Sequence, residues 1–239
     1  MNPKDRKAEL AENLARVRAQ VDAAAQSAGR DPSEVRLLPV TKFHPASDVA
    51  LLGELGVTEV AENREQEARG KAAEVPGMRF HMIGQIQTKK ANAVARWAAA
   101  VHSVDSEKLA RALDRGAALA LERGERGAET LPIPIYLQLS LDGDAYRGGV
   151  SREAMPALID VVLALDHLKL VGIMCVPPVG VDADAAFAEA ATVREEASRH
   201  AGRPMELSAG MSGDFATAIA HGSTVVRVGT SILGQRPVA

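Results

Sequence analysis

The sequence predicts one closed (β/α)8 barrel of the TIM type, preceded by an extra N-terminal helix. Three observations point there. Short apolar runs recur eight times along the chain. Amphipathic helical patterns separate them, which is the signature of parallel strands joined by helical crossovers. The length of 239 residues suits a single such barrel. An open doubly wound sheet would show the same alternation, because periodicity does not reveal closure.

The elements follow in order. Residues 5–28 place Leu10, Leu14, Val17 and Val21 at helical spacing, and Gly29 and Asp31-Pro32 end the pattern. Strands are predicted near 36–41, 58–61, 79–83, 100–104, 133–139, 168–174, 205–208 and 224–228. Helices are predicted near 47–55, 62–75, 87–98, 106–123, 151–165, 182–201 and 212–221. Asp182 and Asp184 suit the positive end of the helix dipole at the start of 182–201. The stretch "LERGERGAETLPIP", 121–134, reads as a surface connection rather than a linker, so residues 1–239 form one predicted domain.

Composition narrows the function. Hydrophobic residues are 46% and charged residues 25%, as in an ordinary globular domain. A net charge of −3 supplies no basic field for nucleic acid. Cys175 is the one cysteine, so no intrachain disulfide forms and a cytoplasmic protein is expected. The charged N-terminus lacks the apolar core of a signal peptide. The most apolar stretch, "VVLALDHLKLVGIMCVPP", is broken by Asp166, His167, Lys169 and a proline pair, which argues against a membrane span. The six histidines show no close metal-ligand spacing. His81, in a strand pattern, reads as a core or rim histidine, and Cys175 as a small buried hydrophobe.

Three stretches carry chemistry. "LLPVTKFHP", 37–45, runs an apolar strand into Lys42 and then turns. Functional groups of such barrels sit at the C-terminal ends of the strands. A desolvated lysine there has its pKa drawn below ~10.4, so a neutral amine can attack a carbonyl. A lysine that merely snorkels to water would look the same. In "LSAGMSGDF", 207–215, Ser212 and its flanking glycines open a helix whose unpaired N–H groups favour an anion. A plain serine N-cap reads equally well. In "VVRVGTSILG", 225–234, Arg227 lies inside an apolar strand and needs hydrogen-bond acceptors, and Gly229-Thr230 opens a short helix. Two such helix starts after the last two strands match where barrels bind phosphate. A phosphorylated carbonyl compound held by lysine is implied; a phosphosugar or pyridoxal 5′-phosphate (PLP) would satisfy it.

"LLPVTK", "AENREQE", "FHMIGQIQTKK", "GIMCVP", "LSAGMSGD" and "VRVGTSILG" resemble, in order and spacing, the YggS/PROSC family of PLP homeostasis proteins. The resemblance runs from the first helix to residue 234. It implies the barrel of the alanine racemase N-terminal domain, with PLP held as a Schiff base on Lys42. It implies Asn63 beside the cofactor ring, Arg227 at the pyridine nitrogen, and phosphate groups at Ser212 and Gly229-Thr230. Ser208 and Met211 complete the implied cofactor-binding set. The family's Gly and Tyr of "GENY" are Ala61 and Arg64 here, the Pro after "IG" is Gln85, and a loop lysine is Arg147. These departures touch rim contacts and leave the lysine and phosphate groups intact.

PLP alone does not make an enzyme, since a substrate and a proton-transfer group must face it. Full racemases that share this barrel add a β-rich domain with an opposite-face tyrosine, for which 239 residues leave no room. Tyr136, in a strand pattern, and Tyr146, in a loop, do not replace it. The reading is therefore a carrier that buffers or delivers PLP, with no catalytic residue assigned. Apo PLP-dependent enzymes are the implied recipients, and a monomer or weak dimer is expected. A small amino-acid racemase, or a Schiff-base aldolase, is the alternative.

Overall fold

A computed structural model describes residues 3–144 and 146–235; the remainder of the chain lies outside the described residues. Eight strands make one sheet: β1 (Arg36–Pro39), β2 (Glu59–Glu62), β3 (Arg79–Met82), β4 (Ala98–Val104), β5 (Ile133–Gln138), β6 (Leu168–Met174), β7 (Glu206–Ser208) and β8 (Val225–Val228). Every pair is parallel, in the order β1-β8-β7-β6-β5-β4-β3-β2. The first and last strands of that order meet through a bridge between Val40 and Ala61, so the sheet curls into a nearly closed barrel. The open-sheet alternative is thereby set aside.

The helices are α1 (Pro3–Ser27), α2 (Ala46–Glu54), α3 (Glu65–Glu74), α4 (Ala91–Trp97), α5 (Glu107–Glu122), α6 (Met155–Leu163), α7 (Ala183–Ala201), α8 (Phe215–Ala220) and α9 (Thr230–Leu233). The extra helix α1 buries Leu10, Leu14, Val17 and Val21, as its spacing requires. Its Arg6 donates to the Leu233 carbonyl at 2.9 Å and pairs with Asp48, tying the ends of α9 and α2 together. Local signals set the helix ends. Ser106 caps α5 through the N–H of Leu109, Asp182 caps α7 through the N–H of Asp184, and Gly202 ends α7 at φ 68°, where a glycine avoids steric cost. In the stretch 121–134, Arg126 is buried and donates to the carbonyls of Ala95 and Ala98, capping α4.

The seam between β1 and β2 is thin for a reason visible in the sequence. The N–H groups of Arg36 and Val40 point to β8, at 2.8 and 2.9 Å from Thr224 and Val228 oxygens. Alternation turns Leu37, Pro39 and Thr41 toward β2. Thr41 donates to Ala61 at 3.0 Å, but Pro39 has no N–H to give. Among the described residues no helix is long and apolar enough to cross a membrane.

Candidate functional site

The C-terminal ends of the strands surround a cavity of about 520 Å³. Lys42 lines it, half-buried, just beyond β1. The backbone on both sides of Lys42 is clamped. Before it, the Thr41 carbonyl accepts from Lys71 Nζ at 2.8 Å and the Thr41 hydroxyl donates to Glu62 at 2.6 Å. After it, the Phe43 N–H donates to Glu67 at 2.6 Å, and Phe43 stands at φ 68°, a costly conformation for a residue with a side chain. Lys71 bridges Glu62 and Glu67 at 2.7 Å each. This buried cluster holds the turn that presents Lys42. Arg64, where the family has Tyr, lies over the Phe43 ring at 5.2 Å.

Asn63 follows β2 and lines the same cavity. Gly84 follows β3 and must be glycine, because a Cβ there would lie 2.0 Å from the Asn63 carbonyl oxygen. Gln85 and Arg147 also line the cavity. Arg147 pairs with Asp142 at 2.5 Å and donates to the carbonyls of Val176 and Pro177, bracing the loop after β5 against the loop after β6.

The next stretch of wall, beside β1, comes from the turns after β7 and β8. Met211, Ser212, Gly213, Gly229 and Thr230 line it. One expectation is corrected here. Ser212 does not cap a helix running 212–221; α8 begins at Phe215, with Asp214 at its cap position. The Asp214 carboxylate takes the Met211 N–H at 2.5 Å and folds residues 211–214 into a separate turn. Among the described residues the N–H groups of Ser212, Gly213 and Thr230 have no acceptor. Gly229 brings β8 close to β1, since a Cβ there would sit 3.2 Å from the Val40 oxygen.

Arg227 reaches the cavity from β8 while almost wholly buried. Its guanidinium donates to the Ser208 carbonyl at 2.5 Å, to Ser208 Oγ at 2.8 Å and to the Cys175 carbonyl at 2.8 Å. These are the acceptors its position demanded. Burial draws its pKa down from the ordinary arginine value, which still leaves it cationic. Ser208 is fully buried and does not line the cavity; it stands behind Arg227. Cys175 is buried, and desolvation pushes its thiol up to about 12, so it is no nucleophile. Tyr136 turns its hydroxyl to the far end of the barrel, onto Glu206 at 2.5 Å, and Tyr146 projects into solvent. Lys90 pairs with Glu65 at 3.1 Å, and neither Lys89 nor Lys90 lines the cavity.

Seven of the eight predicted residues thus meet around one cavity: Lys42, Asn63, Met211, Ser212, Arg227, Gly229 and Thr230. Glu62, Glu67 and Lys71 were not anticipated. Glu62 and Glu67 lie in "AENREQE" and Lys71 four residues beyond it, with nothing in the stretch to show that the three meet. Among the described residues no group of three or more His, Cys, Asp or Glu could hold a metal ion.

A lysine and acceptor-free N–H turns at the mouth of a parallel barrel define a class. Residues 12–237 match the family model of the alanine racemase N-terminal domain. The alanine racemase of Corynebacterium glutamicum has the same fold, with a TM-score of 0.66 at 17% identity, covering 98% of this chain and 62% of that one. The pyridoxal phosphate homeostasis protein of the same species is 57% identical over 93% of this chain and 100% of its own length. PipY of Synechococcus elongatus, solved with PLP bound, is 34% identical with a TM-score of 0.79, over 94% of this chain and 100% of that one. The chain belongs to the pyridoxal phosphate homeostasis family.

Proposed function

We propose that the protein binds PLP in the barrel-mouth cavity and serves PLP homeostasis by buffering or delivering it. One observation carries this reading: a lysine and two acceptor-free N–H turns face the same cavity. When bound, the cofactor supplies an aldehyde that condenses reversibly with a primary amine. Lys42 is the amine, and the clamp of Lys71, Glu62 and Glu67 orients it. Asn63 lies on the Lys42 side and contacts the ring. Arg227 faces the ring nitrogen. Ser212, Gly229 and Thr230 hold the phosphate, and Met211 lines the same part of the cavity. Hydrogen bonds to a charged group contribute roughly 1.5–3 kcal/mol each, so three or four reach the ~8 kcal/mol of micromolar binding. The proposed recipients are apo PLP-dependent enzymes, in the cytoplasm, and the proposed state is a monomer or weak dimer.

Equilibrium dialysis tests the placement. Lys42→Ala is expected to retain PLP without covalent attachment and to hold pyridoxal, which lacks the phosphate, far more weakly. Borohydride should fix the cofactor on the Lys42 peptide of the wild-type chain. Equal binding of PLP and pyridoxal by Lys42→Ala would move the anion site elsewhere.

A further inference from the structure

A file of polar side chains runs through the barrel core from the cavity to the opposite end. Arg227 Nη1 is 2.8 Å from Ser208 Oγ. Ser208 Oγ is 2.9 Å from His102 Nδ1, and His102 Nε2 is 3.0 Å from His81 Nδ1. His81 Nε2 faces Glu59 Oε1 at 3.5 Å. All the members between the two ends are buried. None of the cavity chemistry described above uses the histidines.

Hydrogen-bond valence sets the direction of this file. Arginine has donors and no acceptor, so Ser208 Oγ accepts from it. Among the described residues the serine proton has one remaining place to go, His102 Nδ1. That nitrogen is then an acceptor, so His102 carries its proton on Nε2 and donates to His81 Nδ1. His81 in turn carries its proton on Nε2 and donates to Glu59. The opposite direction has two faults. It leaves the buried serine hydroxyl without an acceptor, and it sets a histidine lone pair against a carboxylate.

We propose that Ser208, His102, His81 and Glu59 form a one-way hydrogen-bond relay that makes Ser208 and His102 positioning residues for Arg227. The surroundings suit neutral imidazoles. Arg36 and Arg79 both pair with Glu59, and Arg36 also pairs with Glu206. Tyr136 stacks on the His102 ring at 4.1 Å, and the Cys175 carbonyl takes the other end of Arg227. Burial lowers the pKa of both histidines. The guanidinium is thereby fixed at one edge by acceptors whose own protons are committed elsewhere. Its geometry toward a ring nitrogen is set by the core rather than by the ligand.

The inference rests on the PLP reading for its consequence but not for its first test. Long-range 1H–15N correlation on histidine-labelled, ligand-free protein at neutral pH should show His81 and His102 as neutral Nε2–H tautomers. A Nδ1–H tautomer or an imidazolium at His102 overturns the relay. The second test compares PLP with 1-deaza-PLP, which replaces the ring nitrogen by C–H. Wild type should prefer PLP, and Ser208→Ala should lose on the order of tenfold of that preference. Ser208→Thr, which keeps the hydroxyl, should retain it. An unchanged preference in a folded Ser208→Ala overturns the positioning role. Failure of wild type to bind either compound would count against the PLP reading, while the histidine spectra still decide the relay.

Discussion

Lys71 Nζ lies 2.8 Å from the carbonyl oxygen of Thr41, the residue that precedes Lys42, and 2.7 Å from Glu62 Oε1. Glu62 is fully buried, and among the described residues its second oxygen has no hydrogen-bond partner. Burial pushes the Glu62 carboxyl up, and Lys71 and Thr41 pull it down. Lys71→Met removes that compensation and leaves an unpaired buried carboxylate, so a loss of ~3–5 kcal/mol is expected. Urea denaturation measures it. Adding Glu62→Leu should recover most of the loss, because no charge is then stranded. A single variant as stable as wild type would show that the clamp is dispensable.

Acid stability should report on Glu59. Its hydrogen bond with His81, with help from Arg36 and Arg79, holds its carboxyl down to about 2. A depressed folded-state pKa gives stability that is present above the unfolded value of ~4.5 and is lost as pH falls toward 2. Roughly 2–3 kcal/mol is at stake in that window. Glu59→Gln should be less stable at neutral pH and should lose less between pH ~5 and ~2. Parallel pH profiles of the two proteins would argue against this assignment.

Gly84→Ala should damage both stability and the cavity. The new Cβ would meet the Asn63 carbonyl at 2.0 Å, and backbone cannot yield as a flexible side chain does. A cost of ~1–3 kcal/mol is expected, together with weaker PLP retention as Asn63 is displaced. Thermal melting and dialysis read the two effects. A variant that melts with wild type would show that the loops after β2 and β3 separate freely.

Racemization should be absent or marginal. Among the described residues lining the cavity, Lys42, Asp142, Arg147 and Arg227 are the charged ones, and no Tyr, His, Cys or Glu joins them. Asp142 is already paired with Arg147. Two-sided proton transfer lacks a second partner there. Chiral chromatography of L-alanine incubated with protein and PLP should show no more D-alanine than PLP alone produces. Efficient interconversion would favour the racemase alternative.

Much of this was legible in the residues. Strands β1 and β8 were plain, because Leu37, Leu38 and Val40, and Val225, Val226 and Val228, are apolar runs bounded by turns. β4 was read as well, but from residue 100 rather than 98, since α4 ends at Trp97 and the strand begins at Ala98 with no loop between them. The "AAAV" there carries no period to separate strand from helix. Lys42 and Thr230 could be read because strand ends advertise themselves in sequence, whereas Asn63 was implied by the family resemblance alone. Ser208 could not be told from a cavity residue, because its place behind Arg227 depends on side-chain depth. Glu67 and Lys71 escaped because only closure of β1 onto β2 brings α3 to the lysine turn.

Pro39 deprives the β1–β2 junction of a backbone donor, so the side-chain bonds of Thr41 and Lys71 to Glu62 carry much of that link. That link lies between the strands that lead to Lys42 and Asn63, while Met211, Ser212, Gly229 and Thr230 follow β7 and β8, on the β1 side of it. Loss of those side-chain bonds is expected to part Lys42 from Asn63 while β1 stays paired with β8. In hydrogen-exchange terms, the Thr41 amide is expected to exchange faster in Lys71→Met than in wild type, while the amides of the β5–β6 pair stay unchanged.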